Sequence, residues 1–132
     1  MKVNSKLVLA VLVSLSVGGV GGMIIHAQQV KTPPAYLISE ADAITDLTAA
    51  KKYGEKVGET LAPFKGHCHF VIGGAKAQSL EGKAPQGIVV IAFDSVAQAK
   101  AWYDSSAYQA ITPIRQSAVK GRMFVVEGVA AP

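Results

Sequence analysis

The hydrophobic and polar positions of the chain first follow the two-residue period of a strand and then the three-to-four-residue period of a helix. Apolar and polar side chains alternate along residues 35–41 well enough to predict a strand. Thr45 or Asp46 then supplies the N-cap of a helix. The helix is predicted to end at Pro63 and Gly66. Its core-facing positions recur at steps of three and four residues: Leu47, Ala50, Gly54, Val57, Leu61 and Phe64.

Two further strands are predicted in the middle of the chain. Residues 67–72 form the first, which Gly73 and Gly74 are expected to close. Residues 88–93 form the second, and they are continuously apolar instead of alternating. A strand of this kind is buried on both faces. This run is therefore expected to lie in the centre of a sheet.

The C-terminal part of the pattern predicts two helices and a final strand. Ser95 and Ser106 are each followed three residues later by Gln, as in a capping box. Thr112–Pro113 is expected to interrupt the second helix and restart it, because proline is tolerated at a first helical position. Lys120–Gly121 resembles a basic last turn followed by a glycine stop. Residues 122–127 form the last predicted strand.

The order strand, helix, strand, strand, helices, strand predicts an α+β fold, a ferredoxin-like βαββαβ sandwich. In this topology the first and third strands are central, which agrees with the wholly apolar run 88–93. The helices cover only one face of the sheet. A domain of roughly 100 residues has no second sheet to cover the other face. We therefore expect a homodimer packed sheet to sheet.

The N-terminal segment has the pattern of an export signal. No charged residue occurs between Lys6 and Lys31, and an apolar run fills residues 7–25. The small residue Ala27 lies at its polar edge, so residues 1–27 are interpreted as a signal peptide of a periplasmic or otherwise exported protein. The alternative is an uncleaved membrane anchor, because the 19 residues from Leu7 to Ile25 are long enough to span a bilayer.

Residues 28–34 then form a linker and residues 35–129 the ferredoxin-like domain. The chain carries a net charge of +4, but the two N-terminal lysines belong to the signal, which leaves 11 basic and 9 acidic residues, or +2. This near-neutral balance excludes a strongly basic nucleic-acid-binding domain. Contact with a membrane is expected only through the N-terminal segment if it is retained. The single cysteine, Cys68, excludes an internal disulfide and is expected to be buried.

A small organic molecule is the ligand that the candidate site residues favour, in a pocket between the helices and the sheet. Arg115 can bind a carboxylate or phosphate, while phenols supply hydrogen bonds and aromatic walls. In the alternative, Arg115 pairs with Asp104 or Glu127 and the tyrosines belong to the core. Trp102 is expected in the core or at the dimer interface. The predicted ligand-binding residues are Tyr36, Tyr103, Tyr108 and Arg115.

Metal and acid–base chemistry have less support in the sequence. His67 and His69 lie two residues apart in a predicted strand, and such a pair can chelate zinc or copper. No third ligand is recognisable nearby, so no metal and no cofactor is assigned, and a surface or interface role is the alternative. Glu40, beside Tyr36 and Ile38 on one side of the first strand, is a candidate general base.

The mature chain resembles the domain of unknown function 1330 family over residues 34–129. The motifs that carry the resemblance are Pro34-Ala35-Tyr36, Gly73-Gly74, Leu80-Glu81-Gly82, Ala101-Trp102-Tyr103-Asp104-Ser105, Tyr108-Gln109, Arg115, and Arg122 to Val126-Glu127-Gly128. The resemblance implies a dimeric α+β barrel, a superfamily that also holds cofactor-free monooxygenases, muconolactone-isomerase-like enzymes and haem-degrading relatives. Family members often have Arg or Lys at the positions of Cys68 and Ile72, which argues against an anion-binding role for that strand here.

Three functions follow as expectations. The first is an exported dimer that binds a small organic molecule in the pocket between helices and sheet. The second is a non-catalytic dimer with a structural or protein-binding role. The third, implied by the resemblance, is a cofactor-free enzyme of the monooxygenase or isomerase kind. A concave apolar pocket with Arg115 reaching into it would favour the first.

Overall fold

The computed structural model describes residues 31–132. The predicted export signal or anchor, residues 1–27, and the first part of the predicted linker lie outside the described residues. Within the described range, no helix has both the length and the apolar character needed to cross a membrane.

The described chain forms a four-stranded antiparallel sheet covered on one face by three helices. The strands are ordered β2-β3-β1-β4, so β1 and β3 are central, and the predicted ferredoxin-like βαββαβ topology is confirmed. The elements are β1 (Ala35–Ile44), α1 (Leu47–Leu61) with a 3₁₀ turn (Ala62–Phe64), β2 (Cys68–Ala75), β3 (Gly87–Phe93), α2 (Val96–Asp104), α3 (Ser106–Ala118) and β4 (Val119–Glu127).

Short polar side chains begin the helices, as the sequence predicts. The Asp46 carboxylate accepts a hydrogen bond from the Ala49 amide at 2.9 Å and begins α1. Ser95 does the same for α2 through the Gln98 amide at 3.1 Å. The predicted cap of α3 was wrong by one residue, because the hydroxyl of Ser105 accepts from the Tyr108 amide at 3.3 Å. The hydroxyl of Ser105 therefore both ends α2 and begins α3.

The predicted interruption at Thr112–Pro113 does not occur, and α3 runs through Pro113 without a break. A proline inside a helix costs about 3 kcal/mol, because a backbone hydrogen bond is lost and the ring crowds the preceding turn. Pro113 itself is exposed, whereas Ile111 and Thr112 beside it are buried. Packing of this buried face holds the helix together across the proline.

The start of β4 also differs from the sequence prediction. The strand begins at Val119, directly after α3, so Lys120–Gly121 lies inside the strand and is not a helix stop. The last carbonyl of α3, on Ala118, accepts from the amides of Thr45 and Asp46 at 2.8 and 3.3 Å. Gly121 is needed for another reason, since an added Cβ would overlap the backbone carbonyl oxygen of Glu40.

The hydrophobic core lies between the helices and the inner face of the sheet. Trp102 and Tyr108 are fully buried, with ring centroids 4.0 Å apart, and Phe93 is 6.0 Å from Trp102. The Trp102 indole Nε1 donates to the Thr60 hydroxyl at 2.9 Å, which satisfies its one polar atom. Trp102 is thus a core residue, one of the two roles expected from the sequence.

The outer face of the sheet is apolar and has no helix against it in the described chain. The strand registers place Ile38 opposite both Val90 and Phe124 on this face. Tyr36 lies one pair further along, opposite Val126 of β4. The side chains of Phe124 and Val126 remain 39% and 42% exposed. The outward-facing residues of β3, Val90 and Ala92, are nevertheless 9% and 6% exposed, so the burial predicted for both faces of this strand is confirmed there, and the exposed apolar side chains of the outer face lie on β4.

Alanine substitutions at Gly121 and Gly58 test the close approach of β4 to β1. We expect Gly121→Ala to lower the free energy of unfolding by about 1–3 kcal/mol, the range for overpacking, because β4 must move away from β1. Gly58, within α1, has no atom within 4 Å of an added Cβ. Gly58→Ala should therefore raise the free energy of unfolding by about 1 kcal/mol, because alanine has a higher helix propensity than glycine. Urea unfolding of both variants checks the two signs, and equal effects would contradict the close approach at Gly121.

Candidate functional site

A cavity of about 630 Å³ lies between α1 and the inner face of the sheet. It is found where β1 ends and β3 begins, at the opposite end of the sheet from the contact between Phe93 and Trp102. Its walls are mostly apolar, with Val57 on α1, and Leu37 and Ile91 on the two central strands. Trp102 also borders it, so the cavity adjoins the aromatic core.

Glycine residues leave the room for this cavity. Gly54 on α1, Gly73 on β2 and Gly87 at the start of β3 all border it. A Cβ added at any of the three would have nothing within 4 Å. Gly74, next to a bulge in β2, adopts a left-handed backbone with φ of 84°. The inner face therefore carries large aromatic side chains at one end and open space at the other.

Arg115 is the charged side chain that the last turn of α3 brings to the cavity. Its Nε atom is buried and has no hydrogen-bond partner among the described residues. The predicted alternative, a salt bridge to Asp104 or Glu127, is not formed. The ion pairs in the described part of the chain are His67 with Asp94 and Arg122 with Glu40.

Tyr53 of α1 places a phenol at the same cavity. Its hydroxyl lies 3.1 Å from that of Tyr108, which in turn donates to the sulfur of Met123 at 3.6 Å. Either hydroxyl can be the donor in this phenol pair. Burial raises the pKa of Tyr53, and the hydrogen bond to Tyr108 raises it further, while the nearby charge of Arg115 acts in the opposite direction.

The rim of the cavity carries the remaining polar groups. The Glu40 carboxylate is not among them, because Glu40 shares the outer face of the sheet with Tyr36 and Ile38; there it accepts from the Arg122 Nε at 2.6 Å, so this candidate general base already has a cationic partner. Gln86 accepts from the Ile44 amide at 3.4 Å, and Lys76 lies beside it on the lining.

The four predicted ligand-binding residues do not form one site. Arg115 lines the cavity, and Tyr108 lies behind its wall, connected to it through Tyr53. Tyr103 is 5.5 Å from Tyr108 between ring centroids, but it borders a separate, smaller pocket of about 270 Å³. Tyr36 is on the outer face of the sheet, because it alternates with the buried Leu37.

The two histidines are also placed apart. His67 precedes β2, and its Nδ1 lies 2.6 Å from the Asp94 carboxylate, whereas His69 is inside β2 opposite Ala92. Within residues 31–132, no group of three or more His, Cys, Asp or Glu side chains is arranged to hold a metal ion. Cys68 is half-buried and donates to the Phe64 carbonyl at 3.4 Å, and burial raises the pKa of its thiol.

Sequence reasoning missed Tyr53 and Phe70. Tyr53 follows Ala50 by three residues and precedes Val57 by four, so it belongs to the same helical stripe, where Gly54 was counted instead. Phe70 pairs with Ile91 and thus faces the cavity from β2. A two-residue period counted from Cys68 would have placed it on the inner face.

The fold is shared by solved structures at low sequence identity. A protein of unknown function from Rhodopseudomonas palustris matches with a TM-score of 0.59 and 16% identity, over 75% of this chain and 85% of that chain. A dimeric ferredoxin-like protein of unknown function from Jannaschia sp. CCS1 gives 0.55 and 14%, over 74% and 99%. A dimeric ferredoxin-like protein of unknown function from Thermobifida fusca YX gives 0.52 and 13%, over 74% and 92%.

These likenesses define a ferredoxin-like domain and, at such identities, nothing beyond the fold. The family is shown by a separate finding, since the model of the domain of unknown function DUF1330 matches residues 34–129. The chain therefore belongs to the DUF1330 family, as the motifs in the sequence indicate. No curated protein matches the chain.

The buried phenol of Tyr53 predicts a loss of stability at alkaline pH. The unfolded chain releases this proton near the ordinary pKa of 10.0, whereas the folded protein keeps it. This contribution is therefore complete below pH 10 and decreases by up to about 1.4 kcal/mol for each pH unit above it. We expect Tyr53→Phe to lose less stability than the wild type between about pH 9 and pH 11 in urea unfolding. Tyr103→Phe, at an exposed position, should follow the wild type, and parallel curves for all three proteins would contradict the prediction.

Proposed function

We propose that this domain is an exported homodimer that binds a small organic molecule in the cavity between α1 and the sheet. The observation that carries the proposal is the cavity itself. Its volume of about 630 Å³ falls within the range of roughly 300–1,000 Å³ typical of small-molecule sites. Apolar walls with a few polar groups, here Tyr53 and Arg115, are the usual composition of such sites.

The glycines that border the cavity favour a ligand-binding site over a packed structural core. A well-packed interior has few voids larger than a water molecule. Here three different elements each contribute a glycine with open space before it: Gly54, Gly73 and Gly87. Such a cavity reduces stability unless something occupies it. An occupant is thus the simplest reason for the arrangement.

A cofactor-free enzyme remains the second candidate, because the Tyr53 phenol borders the cavity and Glu40 is the general base that the sequence suggests. Acid–base catalysis works best with groups whose pKa is close to the working pH. The pKa of Tyr53 is moved upwards, away from neutrality, and Glu40 is paired with Arg122. These two observations support binding ahead of catalysis.

Filling the cavity provides the direct test of binding. N-phenyl-1-naphthylamine, a neutral probe that fluoresces in apolar surroundings, should bind the wild-type domain. Gly54→Leu places a side chain in the open space and should weaken binding roughly tenfold or more, equivalent to about 1.4 kcal/mol. Gly58→Leu is the matched control, because Gly58 lies on the same helix, has equal free space and does not border the cavity. Equal binding by both variants would contradict a site in this cavity.

The open outer face of the sheet supports the homodimer. Contiguous apolar surface on a sheet is usually covered by a second layer about 10 Å away. Ile38, Val90 and Phe124 lie side by side across three strands of this face. In a two-fold dimer, this apolar surface of one copy packs against the same surface of the other copy. The cavity is on the opposite side of the sheet, so pairing of the outer faces leaves it available.

Phe124 tests the dimer. We expect Phe124→Glu to shift the domain from dimer to monomer in light scattering coupled to size exclusion, because an unpaired charge buried in the interface costs about 3–5 kcal/mol. Leu80→Glu is the control, since Leu80 is a 97% exposed residue in the loop between β2 and β3. Dissociation by Leu80→Glu, or a monomeric wild type, would contradict pairing through the outer face.

Export rests on the sequence pattern of residues 1–27, with the retained anchor as the alternative. The N-terminus of the protein isolated from cells distinguishes them. Cleavage should leave a chain that begins near Gln28, whereas a chain that keeps residues 7–25 and fractionates with membranes would favour the anchor.

A further inference from the structure

We propose that the molecule bound in this cavity is an organic anion with an apolar body, whose carboxylate contacts the guanidinium group of Arg115. The inference rests on the proposed function and specifies the chemical class of its ligand. It follows from the charges that surround the cavity and from the partners they do or do not have.

Arg115 is a cation that lacks a partner within the described residues. Its Nε–H is buried without an acceptor, and neither salt bridge in the described part of the chain includes it. A guanidinium group stays protonated under all ordinary conditions. Burying such a donor without an acceptor is costly, and a ligand carboxylate would remove that cost.

The other charges at the cavity leave its potential positive. Lys76, the residue that follows the end of β2, adds a second cation at the rim. Glu40 is the acidic residue among the described lining residues, but its carboxylate lies on the outer face of the sheet, where it pairs with Arg122 at 2.6 Å. The site therefore favours an anion over a neutral or cationic ligand of the same shape.

A carboxylate suits the site better than a phosphate. Phosphate groups are usually bound by several donors, such as a helix N-terminus or a cluster of basic side chains. Here the C-terminal turn of α3 carries Arg115, and the hydroxyl of the nearby Tyr53 is already hydrogen-bonded to that of Tyr108. One planar guanidinium matches one planar carboxylate. The apolar walls formed by Leu37, Val57 and Ile91 would contact the rest of the molecule.

Two naphthalene derivatives of nearly equal shape test the inference. The full domain is loaded with N-phenyl-1-naphthylamine, and the probe is displaced with 1-naphthylacetate or with 1-naphthylacetamide. We expect the acid to displace the probe at a concentration roughly tenfold or more below that of the amide, the scale of one charge-assisted hydrogen-bonded contact. The preference should persist from pH 6 to about pH 9, because guanidinium groups in proteins keep their charge throughout this range.

Variants assign the preference to Arg115. Arg115→Gln should reduce the ratio between acid and amide to about one while leaving binding of the neutral probe in place. Arg115→Lys should restore part of the ratio, and Lys76→Gln, which removes the rim cation, should retain most of it.

Each outcome has a distinct meaning. Equal displacement by acid and amide in the wild type would overturn the anion inference and leave the proposed binding function intact, because the neutral probe still binds. Failure of the neutral probe and of both naphthalene derivatives to bind would overturn both. An acid preference that survives in Arg115→Gln and disappears in Lys76→Gln would overturn the role of Arg115. The wild-type comparison needs no variant, so it decides the ligand class even if Arg115→Gln does not fold.

Discussion

The sheet of this domain is apolar on both faces, and the helices cover only one of them. The apolar character of both faces is clearest in β3, where Ile91 and Phe93 face the helices while Val90 and Ala92 face outwards. Within residues 31–132 no further element covers the outer side. The hydrophobic effect therefore acts on the two faces in different ways. On the inner face it forms the core, and the exposed apolar side chains of the outer face are the surface through which we propose that a second copy binds.

The inner face is itself divided along the length of the strands. Near the start of β1 it is filled by the aromatic rings of Phe93, Trp102 and Tyr108, whose polar atoms all have partners. Towards the start of β3 the side chains become small and a cavity replaces the core. Tyr53 and Arg115 lie along this cavity. Packed aromatic rings beside an apolar cavity are a suitable scaffold for holding a ligand in one orientation.

Much of this arrangement could be predicted from the sequence because it depends on local patterns. The continuous apolar run of β3 identified the central strand, and Asp46 and Ser95 marked the beginnings of two helices. The errors arose where distant packing determines local structure. Pro113 is kept inside α3 by its buried neighbours, and Gly121 is set by the approach of Glu40, a residue 81 positions earlier.

The candidate site was harder to predict than the fold for a related reason. Arg115 was identified because a guanidinium group can bind a carboxylate or phosphate, a property of the residue type alone. Tyr36 carries the same functional group as Tyr53, but one strand step places it on the outer face of the sheet. Residue type indicates what a side chain can bind, and only the strand and helix phases determine which surface it reaches.

Native mass spectrometry of the protein, isolated from cells without denaturation, tests the central claim that one apolar face pairs with a second copy while the other encloses a ligand. We expect a dimer of chains, each retaining the added mass of a small organic acid. A monomer with no added mass would contradict both halves of the claim.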